Sequence, residues 1–247
     1  MTSLAFIIKL DCSPVCSVNR FRLPTANNNL IGSLPNEIKA IELLERLELY
    51  ANTVTGTLPT TISALSNLIL LDVEQNLLTG VAIPSQVYNL TSLLAYRASN
   101  NILTGTIGSD IQRLALIQQL WLSTNEIRGS IPTQLAACSD LEYLFLYENL
   151  IVGTLPSELG SLEILNDLRV YNNTLQNTIP SELFQASNLQ SLRVQFNFFS
   201  GTIPTEIGAL TSLTDLQIDS NALSGALPSE IGNLSLLGKH SAGKLTE

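Results

Sequence analysis

Few residues in this sequence could carry out a chemical reaction, and they do not stand together. The 247 residues include a single histidine, His240, and three cysteines, Cys12, Cys16 and Cys138. Asp215 and Asp219 form a close pair of carboxylates, but such pairs are common on solvated strands. The sequence has no GxSxG, HExxH or P-loop motif. We therefore expect no enzyme activity, no cofactor and no metal site.

A second group of residues, aromatic and basic, recurs at a spacing that suits binding. Constant steps separate Arg97, Trp121, Phe145, Arg169 and Arg193 along the chain. Tyrosine, tryptophan and arginine dominate the binding energy of protein interfaces, and aromatic faces also stack on sugars or hold cations. So regular a spacing needs a repeating element that places these side chains next to one another.

The repeating element is a coil of about 24 residues, most complete in the stretch from Leu213 to Leu234. Nine asparagines mark the nine coils: Asn28, Asn52, Asn76, Asn101, Asn125, Asn149, Asn173, Asn197 and Asn221. Four residues after each asparagine stands a glycine, except for Asn177 in coil 7, and the step from coil 3 to coil 4 is one residue longer than the others. A fixed period of this length indicates a solenoid, in which each coil packs only on its neighbours.

Each part of the coil has a predicted role. Segments such as Leu120-Trp121-Leu122 alternate apolar and variable residues, which predicts a short strand with its leucines pointing inward. We expect each asparagine amide to bond the turn and the next coil, forming a buried ladder. The glycine suits a turn with positive φ, and the Ile-Pro or Leu-Pro pair starts a short helical or 3₁₀ segment.

The pattern LxxLxLxxNxLxGxIPxxIGxL resembles the plant-type leucine-rich repeat, found in receptor-like kinases, receptor-like proteins and polygalacturonase-inhibiting proteins. The resemblance covers roughly residues 20 to 237. It implies an α/β repeat solenoid, a right-handed superhelix of about nine such coils. The expected architecture has a concave parallel β-sheet and short 3₁₀ or helical segments on the convex side. The resemblance also implies an extracellular protein that binds a ligand or co-receptor on its concave or lateral face.

The outward strand residues form three columns, since the register is fixed by the asparagines. We expect these columns to be exposed, including Leu70 and Ala95. Acidic flanks, with Glu48, Asp72 and Glu74 before and Asp215 and Asp219 after, enclose an aromatic and basic centre. The candidate ligand-binding residues are Arg97, Trp121, Tyr143, Phe145, Tyr147, Arg169, Tyr171 and Arg193. The alternative is that these aromatic side chains only pack across neighbouring strands.

The ends and the irregular coils give further expectations. Residues 1–20 are expected to form an N-terminal cap, shorter than usual, residues 21–237 the solenoid, and residues 238–247 a tail or incomplete C-terminal cap. The resemblance to the family's cysteine-bearing cap implies a Cys12–Cys16 disulfide in an oxidising compartment. Cys138 is expected to be a small buried residue. Coil 3 has one extra residue near Val81, and coil 4 has Gly108 in place of proline, which together predict a local irregularity.

The overall charge and the sequons bear on partners and location. The net charge of −9 disfavours nucleic acid or an anionic membrane as partner. We expect a protein, peptide or oligosaccharide ligand, with a co-receptor as a further partner, and no membrane span, signal peptide or anchor in this chain. Asn89, Asn172 and Asn233 begin N-x-S/T sequons, to be used if the chain is secreted.

Three functions remain open at this point. The favoured one is a non-catalytic recognition module at the cell surface or outside the cell, binding its ligand on the concave face. The alternatives are a structural or adhesive extracellular protein and an intracellular scaffold.

Overall fold

The structure, a computed structural model, describes residues 21–238 and is a leucine-rich-repeat solenoid, as predicted. Cys12, Cys16 and His240, with the predicted disulfide, residues 1–20 and residues 239–247, lie outside the described residues. The strands are β1 (Phe21–Pro24), β2 (Ile31–Gly32), β3 (Leu44–Glu48), β4 (Thr53–Gly56), β5 (Leu70–Asp72), β6 (Leu77–Leu78), β7 (Ala95–Arg97), β8 (Gln119–Trp121), β9 (Tyr143–Phe145), β10 (Val152–Gly153), β11 (Asp167–Arg169), β12 (Thr174–Asn177), β13 (Ser191–Arg193), β14 (Phe198–Gly201), β15 (Asp215–Gln217) and β16 (Ala222–Leu223).

Short 3₁₀ helices line the convex side, opposite the concave strands. They span Asn36–Ala40, Thr60–Ala64, Val87–Asn89, Ser109–Arg113, Thr133–Ala137, Ser157–Ser161, Ser181–Gln185, Thr205–Ala209 and Ser229–Asn233. In most coils the residue just before the helix is the proline of the repeat, with an extended ψ, as at Pro156 (φ −64°, ψ 130°). Its carbonyl accepts a hydrogen bond from the N–H three residues later, which closes the first turn. No helix among residues 21–238 is both long and apolar enough to cross a membrane.

One parallel sheet forms the concave face, with strand order β1-β3-β5-β7-β8-β9-β11-β13-β15. Its register brings Arg97, Trp121, Phe145, Arg169 and Arg193 opposite one another on successive strands. The predicted columns are therefore confirmed as neighbours in space. With strands about 4.8 Å apart, Trp121 and Arg193 are separated by about 14 Å.

The leucines of each strand point inward and form one continuous core. Leu120, Leu144, Leu168 and Leu192 are fully buried, and they pack with buried leucines and isoleucines of the convex helices. Cys138 belongs to the same core, as predicted, and burial raises the pKa of its thiol to about 11. The core is shared between neighbouring coils, so its stability depends on stacking.

The asparagine ladder exists, but it runs toward the preceding coil, so the prediction of bonds to the next coil was wrong. The side-chain amide of Asn149 donates to the carbonyl oxygens of Leu122, Leu146 and Tyr147, while its Oδ1 accepts from the N–H of Ile127. Leu122 and Ile127 belong to coil 5, and Asn149 to coil 6. The amide therefore satisfies backbone groups that both coils leave unpaired where their strands end.

Two smaller parallel sheets lie lateral to the concave sheet and were not predicted. Their strand orders are β2-β4-β6 and β10-β12-β14-β16, and an isolated bridge between Val81 and Thr104 marks the gap between them. Each of their strands follows a ladder asparagine, and most end near the glycine of the repeat. Asn177 takes the glycine's place in coil 7 with φ 67°, which confirms that asparagine is accepted there.

The irregular joint between coils 3 and 4 is confirmed, and two tyrosines compensate for it. Tyr96 replaces a strand leucine, is fully buried, and donates its hydroxyl to the carbonyl of Ala82 at 2.8 Å, within the segment that has the extra residue. Gly108 stands where other coils have proline, so it has an N–H, which donates to the Tyr88 hydroxyl at 3.0 Å. The two tyrosine hydroxyls thus pair backbone groups that these departures from the repeat would leave without a partner.

Candidate ligand-binding surface

Five aromatic side chains from β8, β9 and β11 and the residues that follow them form one patch, the aromatic surface: Trp121, Tyr143, Phe145, Tyr147 and Tyr171. The rings of Trp121 and Phe145 stack with centroids 5.2 Å apart, and those of Tyr147 and Tyr171 stack at 4.5 Å and 7°. Tyr143 meets Phe145 edge-on at 6.3 Å. All five side chains remain partly exposed. The repeat places these rings together because each occupies the same or an adjacent column in consecutive coils.

Two arginines cover parts of this surface. The guanidinium carbon of Arg97 lies 4.3 Å from the Trp121 ring centroid, and that of Arg169 lies 4.6 Å from the Phe145 centroid. Arg97 also donates through Nε to Oε1 of Gln119 at 3.0 Å. The aromatic faces thus already hold cations supplied by the chain itself.

All four concave arginines with described side chains form ion pairs, which the sequence columns did not predict. Arg46 pairs with Glu48 at 3.0 Å, Arg97 with Asp72 at 3.4 Å, Arg169 with Asp167 at 2.6 Å and Arg193 with Asp215 at 2.6 Å. In two of these pairs the partners stand two residues apart on one strand. That spacing puts both side chains on the same face of the strand, and it was the feature of the sequence that indicated they could meet.

Several residues of the three columns that were expected to be exposed are buried. Leu70 and Ala95 are buried, and so are the carboxylates of Glu48, Asp72 and Asp167. The reason is geometric: side chains on strands about 4.8 Å apart cover one another, and the three carboxylates lie beneath the arginines that pair with them. The expectation of full exposure was therefore wrong for these residues.

Burial changes the acidity of two carboxyls in coil 3. Desolvation, with a smaller contribution from the charge of Asp72, raises the pKa of Glu74 to about 7. Desolvation also raises the pKa of Asp72, although a backbone hydrogen bond and Arg97 oppose it. The carboxyl of Glu74 consequently changes its charge near neutral pH.

Two buried polar atoms of the concave face have no hydrogen-bond partner among residues 21–238: Nε1 of Trp121 and Oε1 of Gln195. The sequence predicts Trp121 as part of the site, but it does not single out Gln195. Unpaired buried polar atoms are rare in folded proteins and call for an explanation. Both residues belong to the columns that contain the aromatic surface.

The three sequon asparagines are all exposed. Asn89 and Asn233 each end a convex 3₁₀ helix, in equivalent places as expected, and Oδ1 of Asn89 accepts from Arg113 at 2.7 Å. Asn172 lies in the turn beside Tyr171 with φ 54°. The described residues contain no group of three or more side chains suited to hold a metal ion.

Comparison with known proteins defines the class. Residues 140–162, 188–210 and 212–234 match the Leucine Rich Repeat family. The chain thus contains leucine-rich repeats and is similar to the ectodomains of plant receptor kinases. No curated protein matches the chain at a significant level.

The similar solved structures include plant receptors with bound peptides. The plant peptide hormone receptor RGFR1, in complex with RGF2, is 33% identical with a TM-score of 0.85, and the match covers 89% of this chain and 35% of that chain. The Arabidopsis receptor kinase HAESA, in complex with the peptide hormone IDA and the co-receptor SERK1, is 30% identical with a TM-score of 0.74. That match covers 89% of this chain and 40% of the receptor. The chain thus spans well under half the length of these two receptors.

A plant ice-binding protein is also similar, at 25% identity with a TM-score of 0.73. The match covers 86% of this chain and 67% of that protein. Recognition of peptides and binding of ice thus both occur among proteins similar to this one.

Proposed function

We propose that this protein is a non-catalytic recognition module that binds a peptide, a glycan or a protein on its concave face. The observation that carries the proposal is the aromatic surface, five partly exposed rings in contact across three coils. Exposed aromatic patches of this kind mark contact sites. The binding residues are Arg97, Trp121, Tyr143, Phe145, Tyr147, Arg169, Tyr171 and Arg193.

The setting of this module is the extracellular side of a cell, as part of a receptor-like or secreted repeat protein. The receptors RGFR1 and HAESA support this setting, and the HAESA complex, which contains a co-receptor, supports a second protein partner. Secretion predicts glycans on Asn89 and Asn233 and a disulfide between Cys12 and Cys16. Mass spectrometry of native material tests this, and unmodified asparagines with free thiols would instead support an intracellular scaffold.

The binding test compares the whole chain with two concave variants, Trp121→Ala and Arg169→Ala. A random peptide display library and a glycan array serve as probes, and Phe198→Ala, a change at an exposed ring on a lateral strand, is the matched control. We expect ligands selected on the wild type to lose at least about tenfold in affinity on Trp121→Ala, the size of a hot-spot loss. Equal affinity for wild type and both concave variants would contradict the proposal, provided that thermal melting shows them folded.

A second candidate is binding of an ordered surface such as ice, a sharper form of the adhesive alternative. The observation that favours it is the hydroxyl row, an exposed Ser or Thr that follows the repeat glycine or its Asn177 replacement in most coils: Ser33, Thr57, Thr106, Ser130, Thr154, Thr178 and Thr202. None of these hydroxyls has a hydrogen-bond partner in the described part of the chain, whereas Thr104 and Thr174 donate to backbone carbonyls. A line of free hydroxyls spaced about 4.8 Å apart could order water.

The next coil's glycine holds several of these side chains in place. A Cβ on Gly129 would lie 2.8 Å from Cγ2 of Thr106, and one on Gly225 would lie equally close to Thr202. The methyl groups therefore lie against bare backbone and leave the hydroxyls in solvent. Thermal hysteresis and ice-recrystallisation assays test this candidate, with Thr154→Tyr and Thr178→Tyr expected to abolish activity and Trp121→Ala to retain it. Absence of activity in the wild type would exclude the candidate.

A further inference from the structure

The ion pairs limit what the concave arginines can bind. The carboxylates that face Arg46, Arg97, Arg169 and Arg193 are at most 15% exposed. An anionic ligand would meet guanidinium groups whose charge a largely buried carboxylate already neutralises, which weakens their attraction for a second anion. Recognition of a carboxylate or phosphate by these arginines is therefore disfavoured, although their number suggests a basic site.

Two concave carboxylates have no ion pair within residues 21–238. They are Glu74 and Asp219, and they stand at the two ends of one column segment, the tyrosine strip: Glu74, Ser99, Ser123, Tyr147, Tyr171, Gln195 and Asp219. The parallel pairing extends past the strands to this column, since Thr124 donates its N–H to the carbonyl of Tyr147 and the pattern repeats. The arginine and the carboxylate of each of the four ion pairs neutralise each other. The remaining charge of the concave face is therefore negative, and it lies in the tyrosine strip.

Gln195 adds an unpartnered acceptor to the same strip. It is 7% exposed, and its Oε1 has no partner in the described chain. The orientation of its amide follows from its neighbours: Gln217 donates through Nε2 to Asp215, so Oε1 of Gln217 is left to accept from Nε2 of Gln195 at 2.8 Å. The free atom of Gln195 is therefore an oxygen, and it requires a donor.

The chain's own arginines indicate what the remaining aromatic faces can hold. Arg97 lies over Trp121 and Arg169 over Phe145, but neither is placed over the stacked pair Tyr147 and Tyr171. Aromatic faces attract cations, and a nearby carboxylate strengthens that attraction. Gln195 lies one coil beyond Tyr171 and Asp219 two coils beyond it, so the tyrosine pair and these two residues together have the features of a site for a cation that donates hydrogen bonds.

We propose that the tyrosine strip selects a cationic ligand, an extended peptide whose lysine or arginine side chain lies against Tyr147 and Tyr171. The inference rests on the proposed recognition function and specifies its ligand. The charged end of that side chain reaches past Tyr171 to Gln195 and Asp219, which lie one and two coils further along the strip. Oε1 of Gln195 is buried, so its amide turns outward to accept from this cation, while a second basic group reaches Glu74. Glu74 and Asp219 are six coils apart, about 29 Å, which an extended peptide of about nine residues spans.

The test uses random dodecapeptides displayed in two formats, one with a free N-terminus and one with a free C-terminus, panned on the whole chain. We expect enrichment of lysine and arginine in both formats. Synthetic copies of the enriched peptides should lose about tenfold in affinity on Asp219→Asn and on Glu74→Gln, the effect of one charge-assisted contact. Glu163→Gln, an exposed convex change that alters net charge equally, should leave their affinity unchanged.

The outcomes separate this inference from the proposed function. Enriched peptides that are acidic, or that require a free C-terminal carboxylate, would overturn the cationic selection while the recognition function stands. Basic peptides that bind the Glu163→Gln and Asp219→Asn variants with equal affinity would overturn it as well, because general charge attraction would then explain binding. If neither format yields a ligand sensitive to Trp121→Ala, the recognition of peptides itself fails.

Discussion

The two faces of the concave sheet differ in how they use the repeat. Inward, nearly every coil presents the same leucines and the same asparagine, and most of these are buried in the same way. Outward, the residue type changes from coil to coil, from the Arg97–Asp72 pair to stacked rings and then to the Arg193–Asp215 pair. Repetition therefore maintains the solenoid, and function is to be sought where the repetition stops.

The largest effect expected from this comparison is on the inward side. Asn149→Ala removes four hydrogen bonds and leaves buried backbone groups of coils 5 and 6 unpaired. We expect a loss of about 3 kcal/mol in the free energy of unfolding, measured by chemical denaturation. The control is Asn67→Ala, which removes one exposed hydrogen bond to Glu42 and should cost less than about 1 kcal/mol. Similar losses for the two variants would refute the ladder's special role.

The sequence predicted the inward side well and the outward side only in part. The asparagines and glycines gave the correct register, because a fixed period leaves no choice about which residues become neighbours. The covering of Leu70 was not predictable, and the two-residue spacing of Asp167 and Arg169 indicated only that they share a face, not that they pair. Both depend on side-chain conformations over strands only about 4.8 Å apart, which periodicity does not define. The backward direction of the ladder was missed for the same reason.

A second prediction concerns the joint between coils 3 and 4, where the inward side itself departs from the repeat. Tyr96→Phe leaves the buried carbonyl of Ala82 without its donor and should cost about 1–2 kcal/mol in unfolding free energy, again measured by chemical denaturation. Tyr143→Phe, a change in a partly exposed tyrosine on the outward face, is the control and should be close to neutral. If both changes are neutral, the Tyr96 hydroxyl does not compensate for the extra residue.

The smallest expected effect lies on the outward face, at Glu74, and depends on pH. Burial raises the pKa of Glu74 from 4.5 in the unfolded chain to about 7, so the folded state holds the proton more tightly. Its contribution to stability is therefore fully present below pH 4.5 and is lost as pH rises through 7. The Gln side chain of Glu74→Gln cannot ionise. The free energy of unfolding of this variant should therefore equal that of the wild type at pH 4 and exceed it by about 1 kcal/mol at pH 8.

Melting curves at pH 4, 6 and 8 measure this difference, with Glu163→Gln as an exposed counterpart that should show none. Peptide binding should depend on pH in the opposite direction from stability, because a bound cation favours the ionised form of Glu74. The affinity of a basic peptide for the wild type should then rise between pH 5 and pH 8, but not for Glu74→Gln. A pH-independent affinity in the wild type would place the peptide's charge away from Glu74 and confine the cation site to Tyr147, Tyr171 and Asp219.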